Sequence, residues 1–226
     1  MSNLQSPIST NARCLFALSI RLTQRSGRTT MTIQTDARER VLEAAERLFA
    51  RKGYTTVTLR DIASEVGIKH ASLYHHVPGG KEELFIEVTK RNLQSHKAGL
   101  EEAIASAGPG IRTQLYAIAD WLLSHPPMDL VRMAHSDLPA IEATKAAEIS
   151  FMAFEALIIP VEQALQRAQQ NGEIAHHDLG LVAGGLVGML ESLHAIPIEQ
   201  ALLEGKYLQT LANTLIDVML DGIHQP

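Results

Sequence analysis

Residues 69–76 read KHASLYHH, and apart from Leu73 they include no bulky aliphatic side chain. Lysine and histidine can donate hydrogen bonds to guanine, a serine hydroxyl donates or accepts, and an alanine methyl fits against a thymine methyl. Lys69, His70, Ala71, Ser72, Tyr74, His75 and His76 thus form a donor-rich face that suits a major groove. Such side chains read bases only when a short helix holds them clear of its scaffold. The preceding residues have the types that do this. Thr58 and Asp61 have cap spacing, and Ile62, Val66, Ile68 and Leu73 are apolar positions that lock two helices at a steep angle. Ala63 is small where the helices cross, and Gly67 accepts the left-handed turn that stops the first of them. Residues 58–77, TLRDIASEVGIKHASLYHHV, are thus expected to form a helix-turn-helix whose second helix is the reading element.

The chain has 226 residues and 46% hydrophobic content, enough for one sizeable or two small folded units, and only 4% aromatics. Alanine and leucine dominate at helical spacing, so the expected fold is all-α. The single cysteine, Cys14, excludes an internal disulfide and a cysteine-based zinc site, in keeping with a cytoplasmic protein. The net charge is −5, distributed as +4 over residues 1–30, 0 over residues 31–90 and −9 over the remainder. Acid is thus concentrated away from the reading element. No phosphate-cradling glycine loop, nucleophile elbow or metal motif is present, so an enzyme is not expected, nor a cofactor or a metal.

Residues 1–34 lack a helical period and are expected to be a disordered tail, with Met31 an alternative start and a basic arm entering a minor groove the rival reading. Asp36 and Glu39 resemble a capping pair opening a helix through Val41, Leu42, Ala45, Leu48 and Phe49 that ends at Gly53. Pro78, Gly79 and Gly80 break the chain after the reading element, and a long helix from Lys81 to about Ile104 connects the reading head to the rest. Further helices are expected around residues 115–122, from about 140 to 170 with a kink at Pro160, over 179–196 and over 207–222.

Taken together, VLEAAERLFARKGY, TLRDIASEVGI, ASLYHHV and PGGKEELF make the stretch from about Ala37 to Leu84 resemble the TetR family of bacterial transcriptional regulators. The resemblance implies an N-terminal three-helix DNA-binding domain over residues 35–80. It also implies a C-terminal helical domain over residues 81–226 for effector binding and dimerisation, a homodimer on a palindromic double-stranded operator, and release by a small ligand. It makes Thr58, Tyr74, His76 and Lys81 phosphate contacts and Arg60 a phosphate or groove contact, and it places Lys69, His70, Ala71, Ser72 and His75 where the family reads bases. Two departures stand out. Lys69 occupies a place where many relatives have a capping serine, and two glycines precede Lys81 where many have one residue. A helical protein-interaction module with a degenerate reading head is the alternative function.

In the second half, Gly180, Gly184 and Gly188 recur every four residues, each costing about 1 kcal/mol of helix stability relative to alanine, which calls for close backbone approach in return. The apolar run beside them is too short for a membrane span. Leu208, Leu211, Leu215 and Met219 line the last helix, and with the glycines they form the expected dimer interface. Trp121, His125, Met128, Met133, His135, Phe151, Met152 and Phe154 are large, adaptable or polar-tipped, and are the expected pocket for a small apolar or amphipathic effector.

Overall fold

The computed structural model describes residues 36–196 and 207–223, and among them there is helix but no strand. The expectations for residues 1–34, a disordered tail, a start at Met31 or a minor-groove arm, lie outside the described residues. The first helix, α1 (36–52), buries Val41, Leu42, Ala45, Leu48 and Phe49 along one face. Asp36 is already helical. Glu39 pairs with Arg91, while Arg38 reaches Glu87 at 2.7 Å, so these charges tie α1 to the long helix.

Helix α2 (Leu59–Val66) opens on a complete capping box. The Thr58 hydroxyl donates to Asp61 Oδ2 at 2.7 Å, the Thr58 amide donates to the same oxygen at 2.8 Å, and the Asp61 amide donates back to the hydroxyl at 3.2 Å. These bonds, the hydroxyl first, hold the Asp61 carboxyl below its ordinary pKa. Gly67 closes the helix at φ +76°, and the Ile68 amide returns to the Ala63 carbonyl at 2.9 Å. Helix α3 (His70–Leu73) is one turn long and runs on as a hydrogen-bonded turn through His76. Leu73 alone anchors it, with no exposed surface.

Helix α4 (Gly80–Ser106) has 27 residues and spans about 40 Å. It crosses from the reading head, where Phe85 packs on Phe49 and Tyr54, into the body through Leu93 and Leu100. One continuous core joins α1 to the last helix, so head and body share packing on α4. Helix α5 (Ile111–Ser124) follows. The sequence predicts no element between residues 127 and 140, and the structure places there a short helix, α6 (Leu130–Arg132), then a π turn Met133–Asp137 and a 3-10 turn Leu138–Ala140.

The single helix expected from about 140 to 170 is two. Helix α7 (Ala143–Ala153) passes through a π turn, Phe154–Ile158, into α8 (Ile159–Gln170). Pro160 has no amide hydrogen for the preceding turn, and the wide turn places the break before it. Helix α9 (Leu179–Ser192) is capped by the Asp178 carboxylate, which accepts from the Leu181 amide at 3.1 Å. Helix α10 (Tyr207–Ile223) is held to α5 by Asp217, which accepts from the Tyr116 hydroxyl and pairs with Arg112. Among the described residues no helix is long and apolar enough to cross a membrane.

Candidate nucleic-acid interface

On the reading element, Lys69, His70, Ala71, Ser72, Tyr74 and His75 are exposed and His76 is half-buried. Tyr74 retains 49% of its surface, and its ring meets His70 edge to face at 5.3 Å, one helical turn away. Lys69 takes the N-cap position of α3 and makes no side-chain cap, so the expected departure from a capping serine has its physical consequence: no side chain occupies the first amides of α3. Arg60 is exposed on α2. The Thr58 hydroxyl proton is engaged by Asp61, leaving the oxygen of Thr58 with little to offer a phosphate while the box is intact.

Lys81 is the residue whose surroundings the sequence hid. Its Nζ donates to the Tyr54 carbonyl at 2.9 Å and sits 4.0 Å from the centre of the Tyr54 ring. The ammonium has three donors, so two remain for an anion. Tyr54 is held in turn from the body: its amide donates to Asp137 Oδ1 at 2.9 Å. Asp137 is 3% exposed, and its other oxygen accepts from Arg132 Nε at 3.3 Å. Arg132 also donates to the Phe49 carbonyl at 3.2 Å, which already accepts from the Gly53 amide at 2.9 Å, and pairs with Asp129 at 3.0 Å. Gly53 lies under this clamp at φ +77°, and a Cβ there would sit 3.1 Å from both Arg132 Cδ and Asp137 Oδ1. Side chains of the segment at 132–137 therefore tie to the end of α1 and to Tyr54 through backbone atoms 83 positions away, and Lys81 ties the start of α4 to Tyr54.

In the body, the structure does not bring the eight expected pocket residues together. Trp121 and His125 stack at 3.7 Å, and Met128 and Met133 are buried near the same turn. Met152 is half-buried, but His135 is exposed, and Phe151 and Phe154 keep 63% and 46% of their surface, because the π turn and the outer face of α7 carry them outward. Polar groups in the body that sequence reasoning missed are His96, Glu191 and His194. His96 falls on the Leu93–Leu100 stripe of α4, a spacing that marks it as inward-facing. Burial, then the nearby His125 and His194, push its pKa down to about 4. Burial raises the Glu191 carboxyl above its ordinary range and lowers His194. A separate groove of about 450 Å³ between α4, α5 and α8, lined by Glu101, Ile104, Gln114 and Arg167 among others, contains none of the expected residues.

A Cβ built on Gly184 or Gly188 would find no atom within 4 Å, whereas Gly180 lies within 4 Å of Asp178 and Glu162. Leu181, Met189 and Val218 are exposed on the same two helices, and Leu208, Leu211, Leu215 and Met219 are half-buried or buried no further than that. Gly184 and Gly188 thus open onto free space beside exposed apolar side chains.

Against known proteins, residues 41–88 match the family model for bacterial regulatory proteins of the tetR family. Over this segment the chain is similar to the TetR family. The HTH-type transcriptional regulator LmrA of Bacillus subtilis (strain 168) is 41% identical over 83 residues, 35% of this chain and 44% of LmrA. The uncharacterized HTH-type regulator YxaF of the same organism is 49% identical over 57 residues, 25% of this chain and 30% of YxaF. The chain therefore matches less than half the length of either relative. The crystal structure of the TetR family regulator PfmR from Thermus thermophilus aligns with a TM-score of 0.64 at 24% identity, over 84% of this chain and 98% of PfmR, which establishes the fold.

Proposed function

We propose that this chain is a transcriptional regulator, a repressor that grips a palindromic operator as a homodimer and is released by a small apolar or amphipathic effector. The observation that carries the reading is the exposure of Ser72 and His75 on either side of fully buried Leu73, which presents a polar surface from an anchored helix. Lys69, His70, Ala71, Ser72 and His75 read base edges, while Arg60, Tyr74, His76, Lys81 and the Thr58 end of α2 meet phosphate. Two heads reach successive major grooves, about 34 Å apart, when a two-fold axis runs through α9 and α10. In support of that axis, Gly184 and Gly188 open onto space and Leu181 and Val218 are exposed. An effector that prefers one arrangement of the body tilts α4 and moves the heads out of register.

A gel shift on an operator selected from random DNA tests the head. Lys69→Ala is expected to lose about 1–2 kcal/mol, roughly 5–30-fold, and to relax preference at one base position. Lys81→Ala weakens all sequences alike and lowers the salt slope by about one. Absence of specific binding at low salt, with Lys81→Ala matching the wild type, would favour a helical protein-interaction module instead. Sedimentation tests the pairing: Gly184→Leu with Gly188→Leu fills the open stripe and is expected to give monomer, and an undiminished dimer mass defeats the α9–α10 assignment.

A further inference from the structure

The groove of about 450 Å³ between α4, α5 and α8 has a volume within the roughly 300–1,000 Å³ of small-molecule sites. Its two walls are helix faces. On α4, Glu101, Ile104 and Ala105 share a face that leads to Gly108; on α8, Pro160, Gln163 and Arg167 fall at spacings of three and four. Side chains from all three helices close the floor: Ile104 and Gln114 keep 7% and 9% of their surface, and Pro160 is buried. Gln114 is pinned there, since its Nε2 donates to the Gly108 carbonyl at 2.8 Å. The rim is polar. Glu101, Gln163 and Arg167 are exposed, and among the described residues none of their side chains has a hydrogen-bond or ion-pair partner.

The path of the chain puts the two rim charges at opposite ends. Lys145 pairs with Glu82 at 2.8 Å and Glu148 with Lys90 at 2.5 Å, so α7 runs along α4 in the same direction. Helix α8 continues that course, and Glu173 just beyond it accepts from the Ile111 amide at 3.0 Å, at the start of α5 and beside the end of α4. Arg167, in the last turn of α8, therefore stands at the Gly108 end of the groove, and Glu101 at the Pro160 end. From Pro160 to Arg167 the helix rises about 10 Å. An anion seated on Arg167 alone would leave a carboxylate facing the same groove, and a cation on Glu101 alone would leave a guanidinium. One guest answers both when it carries a charge of each sign at its two ends, with an apolar stretch between them for Ile104, Ala105 and Pro160.

We propose that this groove takes a linear zwitterion, an ω-amino acid whose carboxylate meets Arg167, whose ammonium meets Glu101 and whose methylenes cover Ile104 and Pro160. This deepens the reading above that the helical body binds a small amphipathic effector, and rests on it. Such a guest bridges α8 to α4, the helix that reaches the reading head.

Titration calorimetry of the full chain with 8-aminooctanoate, octanoate and octylamine compares the charges on one chain length. The zwitterion is expected to bind with a Kd at least about tenfold below those of the other two. Arg167→Gln should weaken 8-aminooctanoate to the affinity that octylamine has for the unmodified chain, and Glu101→Gln to that of octanoate. Both residues are exposed, so circular dichroism should stay native. A shorter zwitterion, 4-aminobutanoate, cannot reach both charges and is expected to bind no better than octanoate. Equal affinities for the three eight-carbon probes, 4-aminobutanoate binding as tightly as 8-aminooctanoate, or no heat from 8-aminooctanoate overturns the proposal; these comparisons on the unmodified chain decide it even if a variant misfolds. An operator gel shift on the same preparation separates the two readings. Specific DNA binding with no zwitterion preference sinks the site alone, and zwitterion preference without DNA binding upholds the site and sinks the regulator.

Discussion

Asp137→Ala is expected to lower the stability of the chain by about 3 kcal/mol, because it strips a nearly buried carboxylate from both an arginine and a backbone amide. With Asp137 gone, the Tyr54 amide loses its acceptor and Arg132 keeps only the more exposed Asp129 and the Phe49 carbonyl. For a chain of this length, the midpoint of thermal unfolding should drop by about 10 °C. Asp137→Asn retains an oxygen for the Tyr54 amide but not the charge facing Arg132, so about half of the loss should return. Chemical denaturation with both variants checks the order. Equal midpoints for wild type and Asp137→Ala would mean that the clamp contributes nothing. Because Lys81 leans on Tyr54, the same variant should also loosen the cation at the start of α4.

Acidification should destabilise the body through His96. In the folded chain its pKa is depressed from 6.5 to about 4, chiefly by burial and then by His125 and His194. A group depressed on folding contributes fully above its unfolded pKa, and the contribution is lost as pH falls towards the folded value, here between about 6.5 and 4. The total is about 3 kcal/mol, since the unfolded chain takes up a proton that the folded one refuses. His194, also depressed by burial, acts in the same direction. Glu191 acts in the opposite direction, because its pKa is raised: its stabilisation is present at low pH and lost as pH rises above its ordinary value of 4.5. His96→Gln preserves a donor for the Pro126 carbonyl and cannot titrate. Its stability should therefore fall less than that of the wild type across this window, by about 3 kcal/mol. Parallel stability–pH curves for the two proteins would refute the assignment.

Local chemistry made the reading head legible. Cap spacing at Thr58 and Asp61, the glycine at 67 and the apolar set around Leu73 each dictate backbone within a few residues, and the structure reproduces them as a closed capping box, a left-handed turn and a buried anchor. Other elements depended on long-range partners. Glu39 had cap spacing but found Arg91, 52 positions away. The stretch from 127 to 140 has little periodicity because it is held by Asp137 and Arg132 against Tyr54 and Phe49.

The sequence by itself determined an all-helical chain with a helix-turn-helix, since helical periodicity, caps and breakers act over a turn or two of backbone. Only the tertiary structure decided that Lys81 rests on Tyr54, that Phe151 and Phe154 face outward, and that His96 and Glu191 are buried. Those outcomes depend on which helix faces pack together and on where a π turn rotates a helix. Both are set by the free energy of the whole core and by no short run of residues.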